Sequence, residues 1–176
     1  RQILTGLPVR QEILTVTKAQ GVAAYQLQPE KKTLLVTGGS QGARKLNQTM
    51  APLWRRFLDA GVQIIHITGP KLYEETCAMA QEQGVKEHPN LRLLPYAHNM
   101  EYALAAADVV LGRAGASFLA EVMVLGLPSV LVPYPYAAGN HQVANGQAMA
   151  KSGAAVMILE KQFDAGSLDQ ALRPIL

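Results

Sequence analysis

Cysteine, aromatic residues and runs of like charge are all scarce in this sequence of 176 residues. The single cysteine, Cys77, cannot close an intrachain disulfide, which fits a reducing cytosol. The net charge of +3 is the balance of 16 basic and 13 acidic residues, and no stretch carries five like charges, so no nucleic-acid partner is expected. None of the four histidines lies at a metal-site spacing from another, so the sequence indicates no metal centre.

One long segment lacks charge altogether, because the 29 residues between Glu121 and Lys151 include no Asp, Glu, Lys or Arg. Hydropathy alone would suggest a membrane span there. Pro128, Pro133 and Pro135 would break a lipid-facing helix, so the segment is predicted to be a buried strand followed by a loop. The sequence begins with Arg rather than Met and has no signal-peptide pattern, so we expect an excised fragment.

The alternation of short β-rich runs with helical periodicity indicates the fold. Apolar residues make up 49% of the chain, and its length fits a single domain. The strands predicted from these runs span 33–37, 62–68, 91–94, 109–111, 129–132 and 154–158, and the helices 43–57, 71–83, 100–106, 118–125, 142–151 and 165–172. Continuously apolar strands are typical of parallel sheets that are covered by helices on both faces. The predicted fold is therefore α/β, a doubly wound, Rossmann-like parallel sheet of six strands.

The turn after the first predicted strand, Gly38 to Ala43, contains three glycines. Bare backbone can approach a ligand closely there, and free N–H groups before a helix suit a phosphate. The turn is not a GxGxxG dinucleotide motif, because Ser40 occupies the second glycine position, and the chain has no Gly-Lys dipeptide of a Walker loop. A tight turn without any ligand remains a second interpretation.

The same turn also matches a different motif, the GxSxG nucleophile elbow of serine hydrolases, with Ser40 as nucleophile. An elbow needs an acidic residue and a histidine on later loops. Only His141 lies on a suitable loop, Asp108 precedes a strand rather than following one, and no oxyanion segment precedes the turn. A serine hydrolase is therefore the weaker hypothesis.

A second glycine turn, Gly112 to Ala116, precedes the predicted helix that carries Glu121. Two helix N-termini would then face one cleft and could hold a diphosphate without a metal. Glu121 lies too deep in the helix to cap it, and the uncharged segment after it indicates buried surroundings. We interpret Glu121 as an acceptor for two neighbouring hydroxyls, such as those of a ribose, the alternative being a solvated surface glutamate.

The predicted loop after the fifth strand is long, stiffened by proline, and ends in Asn140-His141-Gln142. Amide and imidazole groups can hydrogen-bond sugar hydroxyls without carrying strong charge. For His141, a role as a helix-capping or core histidine is as compatible with the sequence as a binding role.

Taken in order, these motifs resemble the C-terminal half of the MurG family, the peptidoglycan N-acetylglucosaminyltransferases. The resemblance rests on residues 38–43, on 113–116 with Glu121, on 126–128, and on 140–142 with Asn145, and it extends from about Gly6 to Leu172. It implies the donor half of a GT-B glycosyltransferase. Residues 1–15 would be an interdomain linker and 16–176 the UDP-sugar donor-binding domain, with the N-terminal acceptor domain absent from this chain.

The resemblance also implies roles for particular residues. Ser40 and its turn would contact the donor diphosphate, the backbone around Ala97 the uracil, Glu121 the ribose, and His141 and Gln142 the N-acetylglucosamine. The full set of implied substrate-binding residues is Gly39, Ser40, Gln41, Gly42, Ala97, Gly115, Ala116, Ser117, Phe118, Glu121, His141 and Gln142.

Two positions depart from the family's pattern. Phe118 stands where some members have a Thr that can donate to the phosphate, so the backbone alone would hold that oxygen. Leu7 stands where an Asn is common, which concerns only the predicted linker.

The implied reaction is an inverting transfer. The C4 hydroxyl of the muramyl sugar of lipid I would attack the anomeric carbon of UDP-N-acetylglucosamine, UDP would leave, and lipid II would form. Acceptor binding, the proposed base and the membrane-docking patch would lie in the N-terminal domain, so we expect no catalytic residue in this chain and no activity from it alone. No cofactor or metal is expected.

The resemblance places the full-length enzyme in the cytoplasm, peripheral on the inner face of the bacterial plasma membrane. A module like the UDP-N-acetylglucosamine epimerases, or another UDP-sugar-binding module, remains the alternative function.

Overall fold

The computed structural model describes residues 6–176, which form one sheet with helices on both faces. The strands are β1 Thr33–Thr37, β2 Gln63–Ile67, β3 Leu91–Leu94, β4 Val109–Gly112, β5 Ser129–Leu131 and β6 Ala155–Met157. All neighbouring strands pair in parallel, in the order β3-β2-β1-β4-β5-β6. In sheets of this order the connections reverse direction between β1 and β4, where ligands bind. The predicted fold class is confirmed.

The helices largely follow the predicted periodicity. They are α1 Gln11–Thr15, α2 Lys18–Ala24, α3 Arg44–Met50, α4 Trp54–Asp59, α5 Tyr73–Glu82, α6 Met100–Ala106, α7 Ala116–Val124, α8 His141–Lys151 and α9 Ala165–Leu172. Short 3-10 turns cover Ala51–Leu53, Pro70–Leu72, Ala138–Asn140 and Glu160–Gln162. The helix predicted over 43–57 is divided at the first of these turns, because Pro52 has no N–H for a continuous α-helical ladder.

Alternate residues of the central strands enter two separate hydrophobic cores. Leu34 and Val36 of β1 pack with α3, α4 and α9 on one face, whereas Leu35 packs with α2 and α6 on the other. All five residues of β1 are buried because both faces of the sheet are covered. This double coverage explains why the central strands read as continuously apolar.

The predicted linker, residues 1–15, lies partly outside the described residues, which begin at Gly6. Residues 6–10 have no regular secondary structure, and α1 follows with Ile13 buried in the core beside α6. Helix α2 begins at a capping box in which Thr17 and Gln20 exchange hydrogen bonds. A linker role for this segment stays a prediction.

The long uncharged segment forms the end of α7, the buried strand β5, a loop, and most of α8. The prediction of a buried strand and loop is confirmed. Across residues 6–176, every helix is too short or too polar to cross a membrane.

Candidate functional site

A cavity of about 780 Å³ opens at the carboxyl ends of β1 and β4, where the sheet order reverses. Four parts of the chain form its walls: the turn after β1, the start of α3, the turn after β4 with the start of α7, and the loop from β5 to α8. The residues from these parts are Thr37 to Lys45, Gln48, Arg113, Gly115, Phe118, Tyr134 and Gln142, and Met100 and Glu160 complete the wall.

The glycine turn after β1 rests directly on the chain that leaves β2. Gly42 has a φ of +73°, and a Cβ there would lie 2.1 Å from the carbonyl oxygen of Thr68. Gly39 has a φ of +83° but open space around its Cβ position. Gly42 is therefore required for packing, whereas Gly39 is required only for its backbone conformation.

A buried polar network supports this turn from below. Asn47 of α3 donates from Nδ2 to the oxygen of Thr68 at 2.9 Å, and its Oδ1 lies 3.0 Å from Nε2 of His66. Because Oδ1 can only accept, Nε2 of His66 carries the proton. His66 is fully buried, and this burial lowers its pKa to about 3, so the ring is neutral at neutral pH. The network fixes the position of Thr68 and, through it, the glycine turn.

The glycine turn after β4 places the start of helix α7 at the cavity wall. Gly115 is the N-cap residue of α7 with an ordinary φ of −72°, and a Cβ built on it meets nothing within 4 Å. With no side chain at Gly115, nothing at this position covers the start of α7, where a helix has N–H groups without intrahelical partners. The ring of Phe118 packs over Gly112, where a Cβ would come within 2.8 Å of it, and forms an apolar part of the wall.

The cavity unites seven of the twelve predicted binding residues, namely Gly39, Ser40, Gln41, Gly42, Gly115, Phe118 and Gln142. Its wall does not include Ala97, Ala116, Ser117, Glu121 or His141. Ala116 and Ser117 are exposed on the first turn of α7, directly after Gly115. Their predicted contacts with a ligand stay predictions.

Glu121 lies one turn further into α7 with its side chain 14% exposed. Its Oε1 accepts a hydrogen bond from Nε of Arg10 at 2.9 Å, and Nη1 of Arg10 lies 3.5 Å from Glu101. The hydrogen bond to Glu121 raises the pKa of Arg10 above its ordinary value. Glu121 is therefore partly buried, and its role toward a ribose stays a prediction.

Ala97 lines a separate, smaller pocket of about 300 Å³ after β3. Aromatic side chains dominate this pocket, including Tyr25, Tyr96, His98 and Tyr102. Tyr96 and His98 pack edge to face with ring centroids 5.1 Å apart. The predicted contact of the Ala97 backbone with a uracil stays a prediction.

The side chains of His141 and Gln142 make different hydrogen bonds, and only Gln142 lines the cavity. Nδ1 of His141 lies 2.7 Å from the oxygen of Ala138, so it donates to that carbonyl and stabilises the turn before α8. Gln142 lines the cavity, and its Oε1 accepts from the backbone N–H of Tyr134 at 2.9 Å. Since the oxygen is engaged, the amide nitrogen of Gln142 is the group left to donate to a ligand.

Several residues of the cavity wall are not among the predicted binding residues. Arg44 and Lys45 directly follow the glycine turn, a position that could have identified them as cations beside a phosphate site. Arg44 also pairs with Glu75 at 2.9 Å. Glu160 has no signal in the local sequence, because it reaches Arg113 only through the folded sheet.

The structure does not assemble a hydrolase triad around Ser40. Asp108 accepts from the N–H of Thr33 at 2.9 Å and pairs with Lys18, at the opposite edge of the sheet from Ser40. Within residues 6–176, Ser40 has no hydrogen bond to a histidine, and no three His, Cys, Asp or Glu side chains cluster as metal ligands would.

The sheet order, the cavity at its switch point and the two glycine turns define an α/β domain that can bind an anionic ligand on backbone N–H groups. The chain belongs to glycosyltransferase family 28, since residues 33–176 match the model of the Glycosyltransferase family 28 C-terminal domain. The resemblance to the C-terminal half of the MurG family is confirmed.

The relatives carry a consistent name. The chain is 47% identical over 98% of its length to a UDP-N-acetylglucosamine--N-acetylmuramyl-(pentapeptide) pyrophosphoryl-undecaprenol N-acetylglucosamine transferase of Desulforamulus reducens, and 45% identical over 99% to the protein of that name from Moorella thermoacetica. It covers 47% and 48% of these relatives, so it spans about half their length. The crystal structure of Acinetobacter baumannii MurG matches 98% of this chain and 48% of its own, with a TM-score of 0.75 and 27% identity.

Proposed function

We propose that this chain is the donor-binding half of an inverting N-acetylglucosaminyltransferase. The enzyme would move N-acetylglucosamine from UDP-N-acetylglucosamine to the C4 hydroxyl of the muramyl sugar of lipid I, giving lipid II for peptidoglycan. The observation that carries this proposal is the single cavity that unites both glycine turns with Gln142, in a chain 47% identical to a relative named for this transfer.

The cavity suits a diphosphate. Backbone N–H groups at the start of α7 and in the turn after β1 would donate to its oxygens, and Arg44 and Lys45 add positive charge at the same wall. The same groups would stabilise the charge that develops on UDP as the bond to the sugar breaks. We therefore propose that donor binding requires no metal and no cofactor.

The remaining parts of the reaction are assigned to the half of the relatives that this chain does not cover. That half would bind lipid I, supply the base that deprotonates the attacking hydroxyl, and contact the membrane. The full-length enzyme would be cytoplasmic and peripheral on the inner face of the plasma membrane. This division leaves donor recognition as the task of the present chain.

The alternatives receive less support. A serine hydrolase lacks a triad around Ser40, and the relatives named for the transferase favour transfer over a module like the UDP-N-acetylglucosamine epimerases.

Calorimetry with the purified chain tests the proposal. We expect weak binding of UDP and of UDP-N-acetylglucosamine, unchanged by EDTA, with no transfer to a lipid-linked acceptor. A C4 epimer of the sugar should bind less well, because a site that pairs a hydroxyl rejects one that points elsewhere. Detectable transfer by the chain alone would refute the assigned division, and loss of binding on chelation would reveal a metal requirement.

A further inference from the structure

One guanidinium joins the carboxyl ends of the strands on the second half of the sheet. Arg113 directly follows β4, and its Nη1 donates to the carbonyl oxygens of Val132 at 3.1 Å and Pro133 at 3.3 Å, just after β5. Its Nη2 pairs with the carboxylate of Glu160, which lies beyond β6. Its Cζ lies 5.5 Å from the ring centroid of Tyr134, a cation–π distance.

These contacts are largely buried, unlike those of a surface salt bridge. The side chain of Arg113 is only 12% exposed and that of Glu160 only 23%. The planar guanidinium carries five N–H donors in a fixed geometry, so it can bond two carbonyls and one carboxylate at once. Because both residues also line the cavity, the pair shapes its wall.

Arg113 is connected through Tyr134 to the side-chain amide of Gln142, which lines the cavity. Tyr134, whose ring lies at a cation–π distance from the guanidinium, donates its backbone N–H to Oε1 of Gln142 at 2.9 Å. This bond orients the amide of Gln142 so that its nitrogen is the group free to donate. A second hydrogen bond connects α8 with the turn after β4: Nδ2 of Asn145 donates to the oxygen of Ala114 at 3.1 Å.

We propose that the Arg113–Glu160 ion pair is a positioning device for the transferred sugar. The pair holds residues 132–134 so that Gln142 presents its amide nitrogen to a sugar oxygen, and Arg113 acts through this loop rather than by touching the donor. The inference deepens the proposed function and rests on it, because it names the residues that set the sugar-recognising geometry.

A direct role for Arg113 makes the opposite prediction. If Arg113 were a phosphate ligand, Glu160 would compete with the diphosphate for it, and removing the carboxylate charge would strengthen UDP binding. If Arg113 positions the loop, removing that charge loosens the loop and weakens only the ligand that carries the sugar.

The variant Glu160→Gln tests the proposal because it removes the charge while conserving size. We expect affinity for UDP-N-acetylglucosamine to fall by about two- to tenfold, the range of one neutral hydrogen bond, with UDP affinity unchanged. In a Gln142→Ala background the same change should have no further effect, since coupled residues are not additive. Equal weakening of both ligands, tighter UDP binding, or additive effects would overturn the proposal.

A measurement without ligand separates this inference from the proposed function. Amide hydrogen exchange at Tyr134 should become faster in Glu160→Gln, because the loop that holds its N–H against Gln142 is loosened. Unchanged exchange there would refute the positioning role even if the chain bound no nucleotide. Should Glu160→Gln fail to fold, Glu160→Asp, which keeps the charge at shorter reach, is expected to act in the same direction.

The matched control is Glu75→Gln. It breaks an ion pair with Arg44 near the other side of the cavity, with no bond to the loop after β5. We expect the ratio of UDP-N-acetylglucosamine to UDP affinity, and the exchange rate at Tyr134, to stay as in the unaltered chain. A change in either as large as that in Glu160→Gln would count against a specific role for Glu160.

Discussion

Nε of Arg10 lies 2.9 Å from Oε1 of Glu121, although 111 positions separate the two residues. The contact joins the segment before α1 to the helix that follows the β4 turn. The hydrogen bond from Arg10 gives the carboxylate of Glu121 a defined orientation. Any hydroxyl that binds to Glu121 therefore meets an already oriented acceptor, and the segment before α1 contributes to that orientation.

Replacing Glu121 by Ala should weaken all uridine nucleotides, including UMP, because the predicted bonds are to the ribose. Hydrogen bonds to a charged group contribute about 1.5 to 3 kcal/mol, and solvent in an open site favours the lower end, so we expect a loss of roughly tenfold by calorimetry. The control Glu101→Ala removes the other carboxylate near Arg10 and should leave UMP affinity unchanged. Unaltered UMP binding by a folded Glu121→Ala chain would argue against the ribose role.

Replacing Gln142 by Ala should separate sugar recognition from nucleotide recognition. Affinity for UDP-N-acetylglucosamine should fall by about threefold to a hundredfold, since an unpaired buried hydroxyl costs about 1 to 3 kcal/mol, while UDP affinity barely changes. The preference over the C4 epimer should disappear as well. Gln147→Ala, on the exposed side of the same helix, is the matched control and should leave both affinities intact. Equal weakening of UDP and UDP-N-acetylglucosamine would instead indicate a role in diphosphate binding or in the fold.

Two glycine substitutions should have contrasting effects. Gly115→Ala adds a methyl group in open space at the cavity wall, so it should cost less than about 1 kcal/mol of stability yet reduce UDP affinity by about tenfold. Gly42→Ala combines a φ of +73° with a 2.1 Å approach to Thr68, so it should destabilise the fold by about 2 to 4 kcal/mol. Denaturant unfolding and UDP titration of both variants check this. Normal UDP binding by Gly115→Ala would show that no ligand approaches α7 at that point.

The stability of the fold should fall as the pH decreases from 6.5 toward 4.5. Burial lowers the pKa of His66 to about 3, whereas the unfolded chain binds the proton near pH 6.5. The free energy of unfolding should then drop by up to about 1.4 kcal/mol per pH unit in this window. Acidic side chains such as Asp169, whose pKa is lowered by its hydrogen bond to Arg173, contribute only at lower pH.

The variant His66→Gln should flatten this dependence, as followed by denaturant unfolding at several pH values. The control His98→Gln replaces an exposed histidine and should retain the slope. An identical slope in His66→Gln and the unaltered chain would mean that His66 is not the titrating group.

Much of the fold could be predicted because its signals are local. The order of strands and helices follows from hydrophobic periodicity, and the glycine turns follow from backbone conformations that other residues adopt only with strain. Even the division of the predicted helix 43–57 has a visible cause in Pro52. Helices α1 and α2 were missed although Thr17 and Gln20 form a capping box, because five and seven residues are too few to show a clear period.

The site could be predicted only in part. Both glycine turns and Gln142 lie at the carboxyl ends of strands, and a parallel sheet brings such ends to one edge, so their meeting at one cavity follows from the fold class. The aromatic pocket around Ala97 does not follow in this way. It depends on how the loop after β3 packs against the end of α2, which no local pattern specifies.

The sequence by itself determined the strands, most of the helices, the glycine turns and the family, since each is encoded by neighbouring residues. Only the tertiary structure decided which distant side chains meet: Arg10 with Glu121, and Arg113 with Glu160. The physical reason is that an ion pair needs its charged groups within about 4 Å. The order and register of the strands set those distances. That order and register are in turn fixed by the packing of the two hydrophobic cores on the two faces of the sheet.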